Sequence, residues 1–91
     1  MVTQTLVKSG QYYDSVTLLQ VAQDMLKLRE VEDAAVVMAT PANKSILANA
    51  GLLTSESEGA APDDLVIAVK AETEESVTAA IAHAQRALSR S

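Results

Sequence analysis

Two uninterrupted apolar runs, Ala34–Ala39 and Leu65–Val69, constrain the fold of this chain more than any other feature. Both runs are too short for a typical helix, and residues that start or break elements lie next to them. Continuous apolar strands are typical of sheets that are covered on both faces and of the central strands of a sheet. The sequence therefore predicts two strands that lie deep in a small domain.

Other predicted elements lie between these two strands and on either side of them. Apolar residues at helical spacing, capping residues and turn residues predict the remaining elements. These elements are a strand over Thr3–Lys8, a helix from Asp14 or Ser15 to about Glu30, a helix over Pro41–Ala50 closed by Gly51, a loop with a mobile tip over Leu52–Asp64, and a helix that Thr73 caps.

The element order is β-α-β-α-β-α, and this alternation is compatible with two sheet arrangements. A parallel sheet with right-handed crossovers gives a small three-layer α/β fold. Alternatively, the long segment Leu52–Asp64 returns the chain, so that the third strand runs antiparallel between the first two. We favour this second arrangement, an α/β two-layer sandwich with a ferredoxin-like three-stranded sheet, as a single domain over residues 1–91. Its first strand keeps a free edge, which proteins commonly cover or pair.

The first helix has more apolar surface than one sheet face requires. Its apolar residues, which include Leu18, Leu19 and Leu26, span roughly 180° of the helix surface. The last helix has a stripe of only about 100°, formed by Val77, Ala80, Ile81, Ala84 and Leu88. We therefore expect a partner to contact the first helix and the residues before it. The residues expected at that surface are Val21, Met25, Leu28, Tyr12 and Tyr13.

Composition and charge exclude several functions. The net charge is −5 and no lysine or arginine cluster occurs, which argues against binding to nucleic acid. The sequence has no apolar run long enough to span a membrane and no secretory leader, so we expect a cytoplasmic protein without a membrane partner. The chain has no cysteine and a single histidine, His83, so it offers no thiolate nucleophile or metal site. We expect no catalytic residue, no metal and no cofactor.

The segment from Met38 to Lys44 predicts the start of a helix and, in one of two interpretations, a binding site. Backbone N–H groups are free in the first turn of a helix, and Thr40, Asn43 and Lys44 could add a hydroxyl, an amide and a positive charge. Such a site suits a carboxylate, carbamoyl or phosphate group, and Ser15 would join it if the two helix starts converge. The simpler interpretation is that Thr40 caps the helix and that Lys44 is a solvated lysine.

Four segments resemble the amino-terminal region of FdrA-type proteins, a predicted acyl-CoA synthetase-like family. They are Asp14–Leu18 (DSVTL), Ala39–Lys44 (ATPANK), Gly51–Leu52 and Asp64–Val69. The likeness covers nearly the whole chain. In that family, this region precedes a CoA-binding domain and a ligase domain that resemble the succinyl-CoA synthetase α-subunit. Some members are similar to a subunit implicated in carbamoyl transfer between oxalurate and phosphate during purine (allantoin) breakdown.

The resemblance implies an accessory or assembly domain, or a small subunit, of such a protein. The chain has neither a CoA-binding Rossmann unit nor a phosphohistidine loop, so no catalytic residue of the family carries over. Any carbamoyltransferase or ligase activity would belong to other domains or to a partner chain. The implied partners are further copies of this chain, in a homo-oligomer, or a CoA-ligase-like subunit or domain. The alternative function is that of a small-anion binding module at the TPANK segment.

Overall fold

A computed structural model describes residues 1–10 and 12–89, and these residues form a three-stranded sheet and four helices. The elements are β1 (Val2–Lys8), α1 (Ser15–Leu26), β2 (Val31–Met38), α2 (Pro41–Asn49), α3 (Ser55–Glu58), β3 (Leu65–Ala71) and α4 (Glu74–Ser89). None of the helices in this described part is long and apolar enough to cross a membrane.

The sheet has the strand order β1-β3-β2, and both neighbouring pairs are antiparallel. This arrangement confirms the ferredoxin-like prediction, in which the third strand lies between the first two. The parallel alternative is wrong. Since β3 is central, both β1 and β2 are edge strands.

Alternate residues of β3 point to opposite faces of the sheet, and helices cover both faces. Leu65, Ile67 and Val69 pack with residues of α1 and α4 in the main core. Val66 and Ala68 pack in a second cluster with residues that include Leu47 and Leu52. The uninterrupted apolar sequence of β3 follows from this double coverage. The structure thus adds a second, smaller helical layer to the predicted two-layer sandwich.

Helix α1 ends at Leu26, four residues earlier than the sequence pattern predicts. At its start, Asp14 accepts a hydrogen bond from the Thr17 N–H at 2.8 Å, as predicted for an N-cap. After its last turn, Glu30 adopts a left-handed conformation with φ of 69°. The chain can therefore turn into β2 without a glycine, and no sequence signal marks this turn.

The segment 52–64 is not the mobile loop that its composition predicts. It contains α3, whose start has a capping box in which Thr54 and Ser57 bond to each other's backbone. Ser57 is fully buried, and Leu52 and Ala60 are 2% and 8% exposed. These buried residues hold the segment against the sheet. The predicted apolar face of α4, by contrast, is confirmed at all five positions.

Candidate functional site

A groove of about 670 Å³ lies between α1 and the free edge of β2. It brings together four residues that the sequence analysis selected: Tyr12, Tyr13, Ser15 and Asn43. Its other lining residues are Leu18, Leu19, Ala22, Ala34, Ala35, Val36, Val37 and Met38. None of these side chains carries a charge, so the groove suits an apolar ligand or protein segment.

An exposed apolar stripe runs along α1 beside this groove. Val16, Leu19 and Leu26 are 69%, 59% and 45% exposed. At 100° per residue, these three positions fall within an arc of about 80° on the helix surface. Tyr12, just before the helix, is 86% exposed. We call Tyr12, Val16, Leu19 and Leu26 the α1 stripe.

The predicted excess of apolar surface on α1 is therefore present, but within the helix it lies on Val16, Leu19 and Leu26, whereas Tyr12, before the helix, is exposed as expected. Val21 and Met25 are 4% and 0% exposed and lie in the domain's own core, which corrects their assignment to a partner surface. Leu28 is half-buried against the same core. The spacing of Val16, Leu19 and Leu26, at i, i+3 and i+10, was the signal for a second apolar line on the helix.

Two side chains bond to the edge of β2 near the ends of the groove. The Asn43 side-chain amide donates a hydrogen bond to the Met38 carbonyl oxygen at 2.9 Å. The Asp33 carboxylate accepts one from the Ala34 N–H, also at 2.9 Å. Asn43 thus has a structural partner, and the middle of the β2 edge, around Val36, lies open between the two bonds.

The predicted anion cradle is not assembled at the start of α2. Thr40 accepts a hydrogen bond from the Asn43 N–H at 3.2 Å, which is the capping role of the simpler interpretation. The Lys44 ammonium group donates to the carbonyl oxygens of Glu58 and Ala60 at 2.8 and 2.7 Å. Lys44 is therefore neither a solvated lysine nor directed at the start of α2, because it bonds to α3 and to the residues after it.

The electrostatics at the start of α1 do not favour an anion next to Ser15. Hydrogen bonds from the Thr17 backbone N–H and then from its hydroxyl hold the pKa of the neighbouring Asp14 below its ordinary value. The Asp14 carboxylate is thus ionised at neutral pH and occupies the N-terminal end of this helix. Ser15 and Asn43 share the groove, but Lys44 does not line it.

The chain is similar to a protein family and to a curated bacterial protein. The chain matches, over residues 1–91, a family model described as "AllF, heavy metal-associated domain". It is also 44% identical over 69 residues to the Escherichia coli K12 protein whose printed name is "Uncharacterized protein YahF". That alignment covers 76% of this chain but only 13% of YahF, so the chain spans a small part of this curated relative's length. No solved structure matches the chain.

The family description raises the question of a heavy-metal ion, and the residues of this chain do not fit one. Soft metal ions in proteins are held mainly by cysteine thiolates, with histidine as the common second ligand. The chain contains no cysteine and one histidine. Within residues 1–10 and 12–89, no three His, Cys, Asp or Glu side chains come together. Met25, a potential thioether ligand, is fully buried in the core.

Proposed function

Because this chain belongs to the family described as the AllF heavy metal-associated domain, we propose that it is a non-catalytic accessory domain of an AllF-type protein of allantoin breakdown. The resemblance to FdrA-type proteins supports an acyl-CoA synthetase-like or carbamoyl-transferring parent protein. The reaction itself would take place on other domains or on a partner subunit. The small share of YahF that the chain covers supports a role as one part of a longer protein.

The observation that carries this proposal is the α1 stripe together with the uncharged groove beside it. Contiguous exposed apolar side chains on a soluble domain mark contact surfaces. Burial of the four residues of the stripe would contribute roughly 1–2 kcal/mol each. That sum, roughly 4–8 kcal/mol before the cost of association is subtracted, falls short of the roughly 8 kcal/mol of a micromolar contact, so the groove beside the stripe must contribute the rest.

The chemistry of the groove indicates what kind of surface it contacts. The lining is aliphatic and aromatic, with the Ser15 hydroxyl and the Asn43 amide as polar groups. A charged partner segment would lose its water here without gaining an ionic partner. We therefore propose that an apolar segment of the parent protein, or of its partner subunit, lies in the groove and against the α1 stripe.

The experiment uses the E. coli relative from which the 69-residue matching segment has been removed. Isothermal titration calorimetry measures its affinity for the isolated 91-residue chain, and we expect micromolar binding. Leu19→Glu in the α1 stripe should weaken the affinity more than about tenfold. Thr78→Glu, on the exposed face of α4, introduces the same charge and should leave it unchanged. No binding of the unaltered chain, or equal binding of the Leu19→Glu variant, contradicts the proposal.

A further inference from the structure

The outer edge of β1 presents unpaired backbone groups. The Ala39 N–H donates to the Asp64 carbonyl oxygen at 2.9 Å, in register with the pairing of β2 and β3. Even-numbered residues of β3 therefore bond to β2, and odd-numbered residues bond to β1, because successive residues of a strand bond to opposite sides. The register of β1 then directs the N–H and C=O groups of Thr3, Thr5 and Val7 away from the sheet.

The two edges of the sheet differ in how they are protected. On β2, the side chains of Asp33 and Asn43 occupy outward backbone groups, and a register shift interrupts the strand near its start. Such devices hinder the addition of another strand. On β1, the register is unbroken, and the side-chain hydrogen bond that reaches the strand from Thr54 ends on the Thr5 hydroxyl and not on its backbone. No charged residue occurs in β1 before Lys8.

We propose that a second copy of this chain pairs with β1, antiparallel about a two-fold axis at Thr5, to form a continuous six-stranded sheet. Thr5 is the midpoint of Val2–Lys8, so this axis overlaps the whole strand with its copy. Thr5 then faces Thr5, and Thr3 faces Val7, which are β-branched pairs that favour strand pairing. The outward groups of these residues form roughly six backbone hydrogen bonds across the interface.

A second copy fits this edge better than a charged partner because the edge is self-complementary and carries no charged side chain from Val2 to Val7. The two copies bring no like charges opposite one another between Val2 and Val7. The edge is also held in place, since the Thr54 hydroxyl donates to the Thr5 hydroxyl at 2.7 Å and joins the start of α3 to the strand. A rigid edge loses little conformational entropy on pairing.

The size of the interface predicts a weak dimer. A strand of this length extends about 23 Å, and a single strand pair buries less area than the roughly 800 Å² per partner of a standard stable interface. We therefore expect dissociation constants of roughly tens to hundreds of micromolar. The dimer should be visible at high protein concentration and absent from dilute solution.

Sedimentation equilibrium of the 91-residue chain between about 10 μM and about 1 mM tests this dimer over the affinity range expected for a small interface. Thr3→Pro removes one outward N–H, which costs no hydrogen bond within the domain. Thr3→Lys replaces a neutral β-branched residue with a charged one opposite Val7 of the other copy, and lysine on an edge strand opposes pairing. Both variants should weaken dimerisation about tenfold or more, whereas Thr78→Lys, with the same added charge on α4, should dimerise normally. Circular dichroism checks that each variant is folded.

Three outcomes would overturn the proposal: an unaltered chain that is monomeric at about 1 mM, a dimer that both Thr3 variants retain, or a dimer that Leu19→Glu abolishes. A further outcome is that a longer protein protects the Thr5 amide from hydrogen exchange while the isolated chain stays monomeric. In that case a strand of the longer protein occupies the β1 edge, and a second copy of this chain does not. Leu19 lies on the α1 stripe and not on β1, so Leu19→Glu should weaken binding to the parent protein and leave the dimer intact. This variant therefore tests the dimer and the accessory-domain function separately.

Discussion

Replacement of Lys44 by methionine removes the ammonium group that ties α2 to the residues around α3. The Lys44 Nζ donates to the Glu58 and Ala60 carbonyl oxygens at 2.8 and 2.7 Å, which are typical lengths for charge-assisted hydrogen bonds. Methionine keeps an unbranched side chain of similar size. The effect of the substitution therefore reports mainly the two hydrogen bonds and not a loss of packing.

The surroundings of the two carbonyl groups determine how much free energy of unfolding the Lys44→Met substitution removes. The bond to Glu58 is exposed, so water can replace the ammonium group there, whereas the bond to Ala60 is partly buried. One hydrogen bond to a charged group contributes about 1.5–3 kcal/mol. We expect Lys44→Met to lower the free energy of unfolding by roughly that amount, and the melting temperature by roughly 6–24 °C.

Urea unfolding followed by circular dichroism measures this change, with Ser45→Ala as the control. Ser45 is the next residue of α2 and is exposed, so its replacement should change the stability by less than about 0.5 kcal/mol. If the Lys44→Met variant is as stable as the Ser45→Ala variant, the structural role assigned to Lys44 is refuted.

Further predictions concern a glycine, a capping carboxylate, an anion and metal ions. Gly51→Ala should destabilise the domain by roughly 1–3 kcal/mol, since Gly51 has a φ of +74°, a conformation that residues with a Cβ rarely adopt. Gly59→Ala, at a helical φ, should be neutral or stabilising in the same urea unfolding assay; equal losses of stability for both variants would contradict this reasoning. Because the pKa of Asp14 is lowered in the folded state, the stability it contributes is present at neutral pH and is lost as the pH falls through that lowered pKa. Asp14→Asn should therefore lose less stability than the unaltered chain when unfolding is compared at about pH 6 and about pH 3, and an identical loss would argue against the cap. If carboxylates or phosphates bind at the start of α2, the Lys44 ammonium group must leave the two carbonyl oxygens to which it now bonds. Calorimetric titration with carbamoyl phosphate should then give a saturable heat that Lys44→Ala abolishes. Equal heats from both proteins would exclude this site. Finally, added Zn²⁺ should leave the melting temperature unchanged, and a clear rise would show a metal site that the residues do not indicate.

The parts of the fold that the sequence predicted well are those in which burial determines residue type. Leu65–Val69 had to be apolar throughout because helices cover both faces of the central strand. The buried stripe of α4 follows helical periodicity, and Thr40 and Pro41 mark the start of α2. These signals are local, and no distant contact overrides them.

The remaining features depend on contacts or conformations that a local pattern does not encode. Glu30 ends the turn after α1 in a left-handed conformation that glycine usually adopts. In α3, Ser57 takes the capping-box position where glutamate or glutamine is expected, so composition suggests a loop. The partners of Lys44 lie 14 and 16 residues away, and only the folded chain reveals them. The sequence therefore selected several residues of the groove but assigned Lys44 to the wrong environment.

The most direct test of the accessory-domain account is the accessibility of α1 when the parent protein is present. The chain has no native cysteine, so a single introduced cysteine reports on one position. Leu19→Cys and Thr78→Cys should react with a thiol reagent at similar rates in the isolated chain, because both positions are exposed. With an excess of the E. coli relative that lacks the matching segment, the account predicts strong protection of Leu19→Cys and no protection of Thr78→Cys. If Leu19→Cys reacts equally fast with and without that protein, α1 is not the contact surface, and the central claim is wrong.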